Sequence, residues 1–132
     1  CPSLALAQAT QEAGGAAYVY RFDRVREGFD AIGAYHGAEL PYVFDTHDPW
    51  MPTSAVDLKI TDAVVDYWVA FLTSSSPNES QSGDSEITDA TWPAWTQQQQ
   101  ALVIADEVST QTHPDAALCE FLNAAQVASA RH

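Results

Sequence analysis

The chain has 132 residues and a formal charge of −13, from 5 Lys+Arg against 18 Asp+Glu, which excludes a protein that grips nucleic acid with clustered cations or one drawn to anionic lipid. No apolar run approaches the roughly 20 residues that cross a bilayer, and the length suits one domain, residues 1–132. Of the apolar residues 22 are Ala and only 27 are Leu, Ile, Val or Phe, so the core is thin, as it is when part of a larger domain is read alone.

Ser3 is placed to cap a helix from Leu4 to about Ala13, stopped by Gly14-Gly15. Ala16 to Phe22 reads as a strand, apolar on both faces until Arg21, which predicts burial on two sides and a parallel sheet. From Asp23 to Trp50 the periodicity fails while aromatic residues persist, so this long irregular segment is the one to search for chemistry. Ser54 and Asp57 match a capping box, and Ile60, Val64, Trp68 and Phe71 follow at helical spacing. Ser74 to Asn78 ends that helix, and Glu79 to Thr91 is a polar, acidic surface loop by composition. Trp92-Pro93-Ala94-Trp95 returns to pack, Leu102-Val103-Ile104 reads as a short strand, and Asp115 caps a last helix through Leu118, Phe121 and Ala125.

Cys1 and Cys119 are the two cysteines. They are either bridge partners closing nearly the whole chain or two unrelated buried thiols. The chain opens on Cys1-Pro2 with no basic leader, so a leader has been removed or this is not the true start; a first residue other than Met favours the second.

Of the four histidines, His113 and His132 read as solvated. His36 lies in Gly33-Ala34-Tyr35-His36-Gly37-Ala38-Glu39-Leu40-Pro41, in a loop, beside small residues and with a carboxylate three positions on. A histidine that moves protons needs such freedom and a hydrogen-bond partner, yet a structural histidine packed among aromatics fits the same spacing. A metal site built from His36, Glu39, Asp45, His47 and Asp48 is a third use. It lacks zinc-type cysteines and the ligand alternation of a calcium loop. No Gly-x-Ser-x-Gly elbow occurs, so the chain supplies a base but no activated nucleophile.

Cys1-Pro2, Tyr18 to Phe22, and Gly33 to Phe44 resemble the C-terminal third of type-B carboxylesterases, the family of cholinesterases and many microbial lipases. Tyr67 to Phe71, Ser76-Pro77-Asn78, Trp92 to Trp95 and Leu118 to Phe121 continue the resemblance in order across essentially the whole chain. It implies an α/β fold, the C-terminal part of an α/β-hydrolase, with triad residues in the chain order Ser, Asp or Glu, His. His36 is then the triad histidine, Glu39 and Gly37 belong to its supporting shell, and Cys1 and Cys119 match a family disulfide. The nucleophile, the triad acid and the oxyanion-hole glycines fall upstream of Cys1.

The expected function is hydrolysis of a small-molecule carboxylic ester without a cofactor, with the rest of the same hydrolase domain as partner, in a secreted enzyme. The isolated chain is expected to be inactive. The alternatives are a non-catalytic cholinesterase-like adhesion or binding module and a self-contained acidic binding domain. Phe44 is followed by Asp45 where many relatives carry Gly, and Trp50 and Met51 are either pocket-lining or loop packing. Asn78-Glu79-Ser80 is a glycosylation sequon, meaningful in a eukaryotic secreted protein.

Overall fold

The computed structural model describes residues 1–79, 90–113 and 115–129. Helix α1 (Pro2–Glu12) begins two residues earlier than Ser3 suggests: Cys1 is the N-cap, with no side-chain hydrogen bond, and Pro2 opens the first turn, where its missing N–H and fixed φ cost nothing. Strand β1 (Tyr20–Phe22) follows. The irregular segment is interrupted by one short helix, α2 (Leu40–Val43). Helix α3 (Ala55–Ser74) starts at the predicted capping box, with Ser54 accepting from the Asp57 amide and the Asp57 side chain accepting from Ser54 N, and ends at Ser75 in the left-handed conformation, φ 63°. Strands β2 (Gln100–Ile104) and β3 (Val108–Thr112) precede α4 (Ala116–Ser129).

The three strands form one mixed sheet in the order β1-β2-β3. β1 runs parallel to β2, with Tyr20 opposite Leu102 and Phe22 opposite Ile104, and β3 returns antiparallel to β2. β3 is an element that the sequence reading omits.

The doubly buried strand is β2, not β1. Ala101, Leu102 and Ile104 are all buried, whereas β1 is half-buried along its length. The reason is topological: β2 has a strand on each side and helices on each face, while β1 lies at an edge. Residues of alternate parity on β2 separate two cores, as a pleated strand requires. Leu102 and Ile104 join Tyr42, Ile60, Val64, Tyr67 and Trp92 under α2 and α3. Ala101 faces Leu4, Ala7, Val19, Trp95 and Cys119, so α1 and α4 close the other face.

Trp92 is the largest organiser of the first core. Its ring meets Tyr18, Tyr20, Tyr67 and Trp68 edge-on at centroid separations of 5.7 to 6.2 Å, and its indole N–H donates to Val19 O at 2.9 Å. This geometry adds to the area that the rings remove from water. On the other face a disulfide joins Cys1 to Cys119, with their Cα atoms 5.0 Å apart. It ties the start of α1 to α4 and fixes which of the two cysteine readings holds.

Most of the serine-rich loop, residues 80–89, lies outside the described residues, as do Ser80 of the sequon, Pro114 and His132. Asn78 itself is tied back: its side chain donates to Trp92 O at 2.8 Å and accepts from Trp92 N at 2.7 Å.

Candidate active site

His36 sits on a turn between β1 and α2 and is exposed. The turn is fixed by backbone bonds from Ala38 N to Tyr35 O and from Leu40 N to Gly37 O, at 3.0 and 3.1 Å. Gly37 makes it possible, because its φ of 86° lies where a side chain is strained. The resulting reversal presents the imidazole to solvent.

Among the described residues no hydrogen bond joins His36 to Glu39, so the three-residue spacing does not make a pair here. Glu39 occupies the N-cap position of α2 without a side-chain capping bond and lines a groove with Tyr20 and Phe22. There it helps raise the Tyr20 hydroxyl above its ordinary pKa, after burial, the larger cause. Asp45 adopts φ 49°, a left-handed conformation that glycine holds with less strain. Met51 is buried and Trp50 is 70 % exposed, so only the first is loop packing. Among the described residues no three His, Cys, Asp or Glu side chains converge as metal ligands.

The most organised polar cluster near the turn is one that sequence reasoning missed. Arg26 Nε donates to the Tyr42 hydroxyl at 3.0 Å, and that hydroxyl donates to Asp57 Oδ1 at 2.7 Å. Arg24 Nε donates to the same carboxylate oxygen at 2.8 Å, and Ser54 N and Oγ both donate to Oδ2 at 2.7 Å. Burial pushes the Asp57 carboxyl up, but the hydrogen bonds from Arg24, Tyr42 and Ser54 outweigh it and hold the group well below the usual carboxylate range. Tyr42 moves the other way, to about 12, through burial and its bond to Asp57.

His47 completes the cluster. Its Nδ1 lies 2.5 Å from Arg26 Nη2 and its Nε2 2.7 Å from Thr61 Oγ1. Thr61 Oγ1 already donates to Asp57 O, so it accepts from Nε2–H, and Nδ1 is left to accept from Arg26. The Nδ1 contact requires the neutral ring, since only an unprotonated nitrogen accepts from Arg26. Burial, and then the Arg26 charge, lower the His47 pKa. The only sequence signal for this cluster is the capping box that identified Asp57; its other members come from three separate segments. His113, read as solvated, is half-buried with its ring edge-on to Trp95.

Residues 1–122 match the carboxylesterase family. Among solved structures the chain is similar to PNB esterase, at 20% identity and a TM-score of 0.64 over 80% of this chain and 21% of that one. It is similar to the carboxylesterase EST55 of Geobacillus stearothermophilus at 25% identity and a TM-score of 0.63, over 84% and 22%. An esterase from the anaerobe Clostridium hathewayi matches at 19% identity and a TM-score of 0.65, over 86% and 22%. The chain thus spans about a fifth of the length of these structures, and the helix-flanked sheet it shares with them is part of an α/β esterase fold. No curated protein matches the chain.

Proposed function

Because the chain belongs to the carboxylesterase family, we propose that it is the C-terminal portion of a type-B carboxylesterase domain and supplies the triad histidine, His36, for hydrolysis of small-molecule carboxylic esters. The observation that carries this reading is the exposure of His36 on a turn built around Gly37. A proton shuttle must reach both nucleophile and leaving group, which an enclosed imidazole does not.

In the proposed reaction a serine from the preceding part of the protein attacks the ester carbonyl as one ring nitrogen of His36 takes its proton. The tetrahedral intermediate collapses, the carbonyl–alkoxy bond breaks, and the same nitrogen returns the proton to the departing alkoxide. Water then attacks the acyl-serine with its proton going to His36, which reprotonates the serine as the acid leaves. An upstream carboxylate holds the second ring nitrogen. No cofactor takes part.

Support for a partner segment comes from the open edge of β1. Val19 O and Asp23 N are bonded toward β2, so strand alternation turns the N–H and C=O groups of Tyr20 and Phe22 away from it. Beside that edge runs a groove of about 610 Å³ lined by Leu6, Ala7, Val19, Tyr20, Phe22 and Glu39. An unpaired edge next to apolar side chains is where a further strand of the same domain adds. The disulfide supports folding in an oxidising compartment, hence secretion.

The test is to extend the chain upstream, find the Gly-x-Ser-x-Gly elbow, and assay p-nitrophenyl ester turnover. His36→Ala in the extended protein is expected to lower kcat by about 10⁴-fold or more, with the 132-residue chain alone inactive. Turnover by the isolated chain, or wild-type rates in His36→Ala, overturns the reading.

A further inference from the structure

We propose that Arg26 and Tyr42 are positioning residues for His36, clamping the turn that carries it onto the N-terminal half of α3. The inference rests on the reading of His36 as the proton shuttle and assigns the residues that aim it.

Its own backbone bonds shape the turn, but they do not fix where it sits on the rest of the fold. α2 is a single helical turn of four residues, far shorter than a helix that is stable alone, and Leu40 at its start and Phe44 at its C-cap are 50% and 67% exposed. Tyr42 is the exception, at 1%. Its hydroxyl is gripped between Arg26 Nε and Asp57 Oδ1, its ring lies 5.0 Å from Phe22 and 5.3 Å from His47, and the Arg26 guanidinium stands over its face at 4.8 Å. Arg26 precedes His36 and Tyr42 follows it, at a separation of 16 residues. Both flanks of the loop are therefore drawn to one point, and that point is anchored on α3 by Asp57 and, through His47, by Thr61.

The clamp also lies beside the turn. Arg26 and Tyr42 share a small cavity of about 10 Å³ with Gly33, Tyr35 and Ala38, the residues that flank His36. Arg26 is 6% exposed and hydrogen-bonds no carboxylate among the described residues, and its Nη1 has no partner there. A cation so placed is a poor means of stabilising a core, because an apolar side chain of similar size does that without the desolvation cost. Holding two loop flanks in one geometry is a use that needs the fork of donors that Arg carries.

The test uses Tyr42→Phe, which keeps the ring, and Arg26→Met, which keeps most of the side-chain volume, in the full-length enzyme containing this chain. Amide exchange at Ala38 and Leu40 is expected to accelerate about tenfold in both, the factor expected from loss of one charge-assisted hydrogen bond, while Leu102 in β2 is unchanged. A purely structural role speeds all of these amides together; that pattern, or no change at all, overturns the clamp. Ester turnover should lose about tenfold in kcat with KM held within about twofold, against an inactive His36→Ala control. Unchanged kcat beside an inactive control overturns the positioning role. If His36→Ala stays active, the reading of His36 fails instead, and the exchange contrast still decides whether the clamp exists.

Discussion

The hydroxyl of Tyr42 donates to Asp57 Oδ1 at 2.7 Å, joining a residue that ends the His36 loop to one that starts α3. Asp57 therefore serves two scales at once. Through Ser54 it caps its own helix, and through Arg24 and Tyr42 it collects segments from elsewhere in the chain. A carboxylate that is 1% exposed is tolerable only because its oxygens are bonded in this way.

Replacing Asp57 should thus be far more damaging than replacing a helical neighbour. Asp57→Asn is expected to cost about 3–5 kcal/mol, since it removes the buried carboxylate charge that Arg24 and the Tyr42 hydroxyl bond to and leaves Arg24 paired only with the exposed Asp106 among the described residues. Asp62→Asn, at an exposed position of the same helix, should stay within about 0.5 kcal/mol. Urea unfolding of the two variants compares them; equal midpoints would contradict the hub role.

Acid should weaken the fold in two steps. The His47 pKa is lowered from its ordinary 6.5, so the unfolded chain takes up a proton that the folded chain resists. Stability from this group is complete above 6.5 and declines as pH falls through it. Asp57, held below its ordinary 3.8, adds a second loss only under that value. Unfolding midpoints measured against pH should show the upper step shrink in His47→Gln. The remainder belongs to His113, whose pKa is also lowered by burial. An undiminished upper step in that variant would remove His47 from the account.

The Cys1–Cys119 bridge spans a sequence separation of 118, and closing a loop of that size restricts the unfolded chain by about 4–5 kcal/mol in the chain-entropy description. Cys119→Ser, or reduction by dithiothreitol, should lower the thermal midpoint accordingly. A midpoint that ignores reductant would show that the bridge contributes nothing to stability.

Trp92 offers a graded test of the aromatic core. Trp92→Ala should cost about 3–5 kcal/mol by opening a cavity among four rings, whereas Trp92→Phe keeps most of the packing and loses chiefly the bond to Val19 O, about 1 kcal/mol. Denaturant unfolding separates the two, and identical losses would locate the energy in the hydrogen bond rather than in the rings.

Local features could be read from the chain alone, because their causes span a few residues. The Ser54–Asp57 box declares the start of α3 three residues at a time, the Gly14-Gly15 pair stops α1, and Gly37 permits the reversal that exposes His36. The order of short blocks carried the family, and with it the cysteine pairing that spacing left open. What only the tertiary structure decided is which strand is central and which polar groups meet. β1 and β2 are both apolar in sequence, but burial on two faces depends on having neighbours, and topology allots these to β2. β3, Val-Ser-Thr-Gln-Thr, has too little apolar pattern to declare itself and becomes a strand by pairing with β2. The Arg26–Tyr42–Asp57–His47 cluster is assembled across separations of 14 to 21 residues. Hydrogen bonds between such distant side chains leave no periodic trace, so their geometry exists only once β1, α2 and α3 have packed.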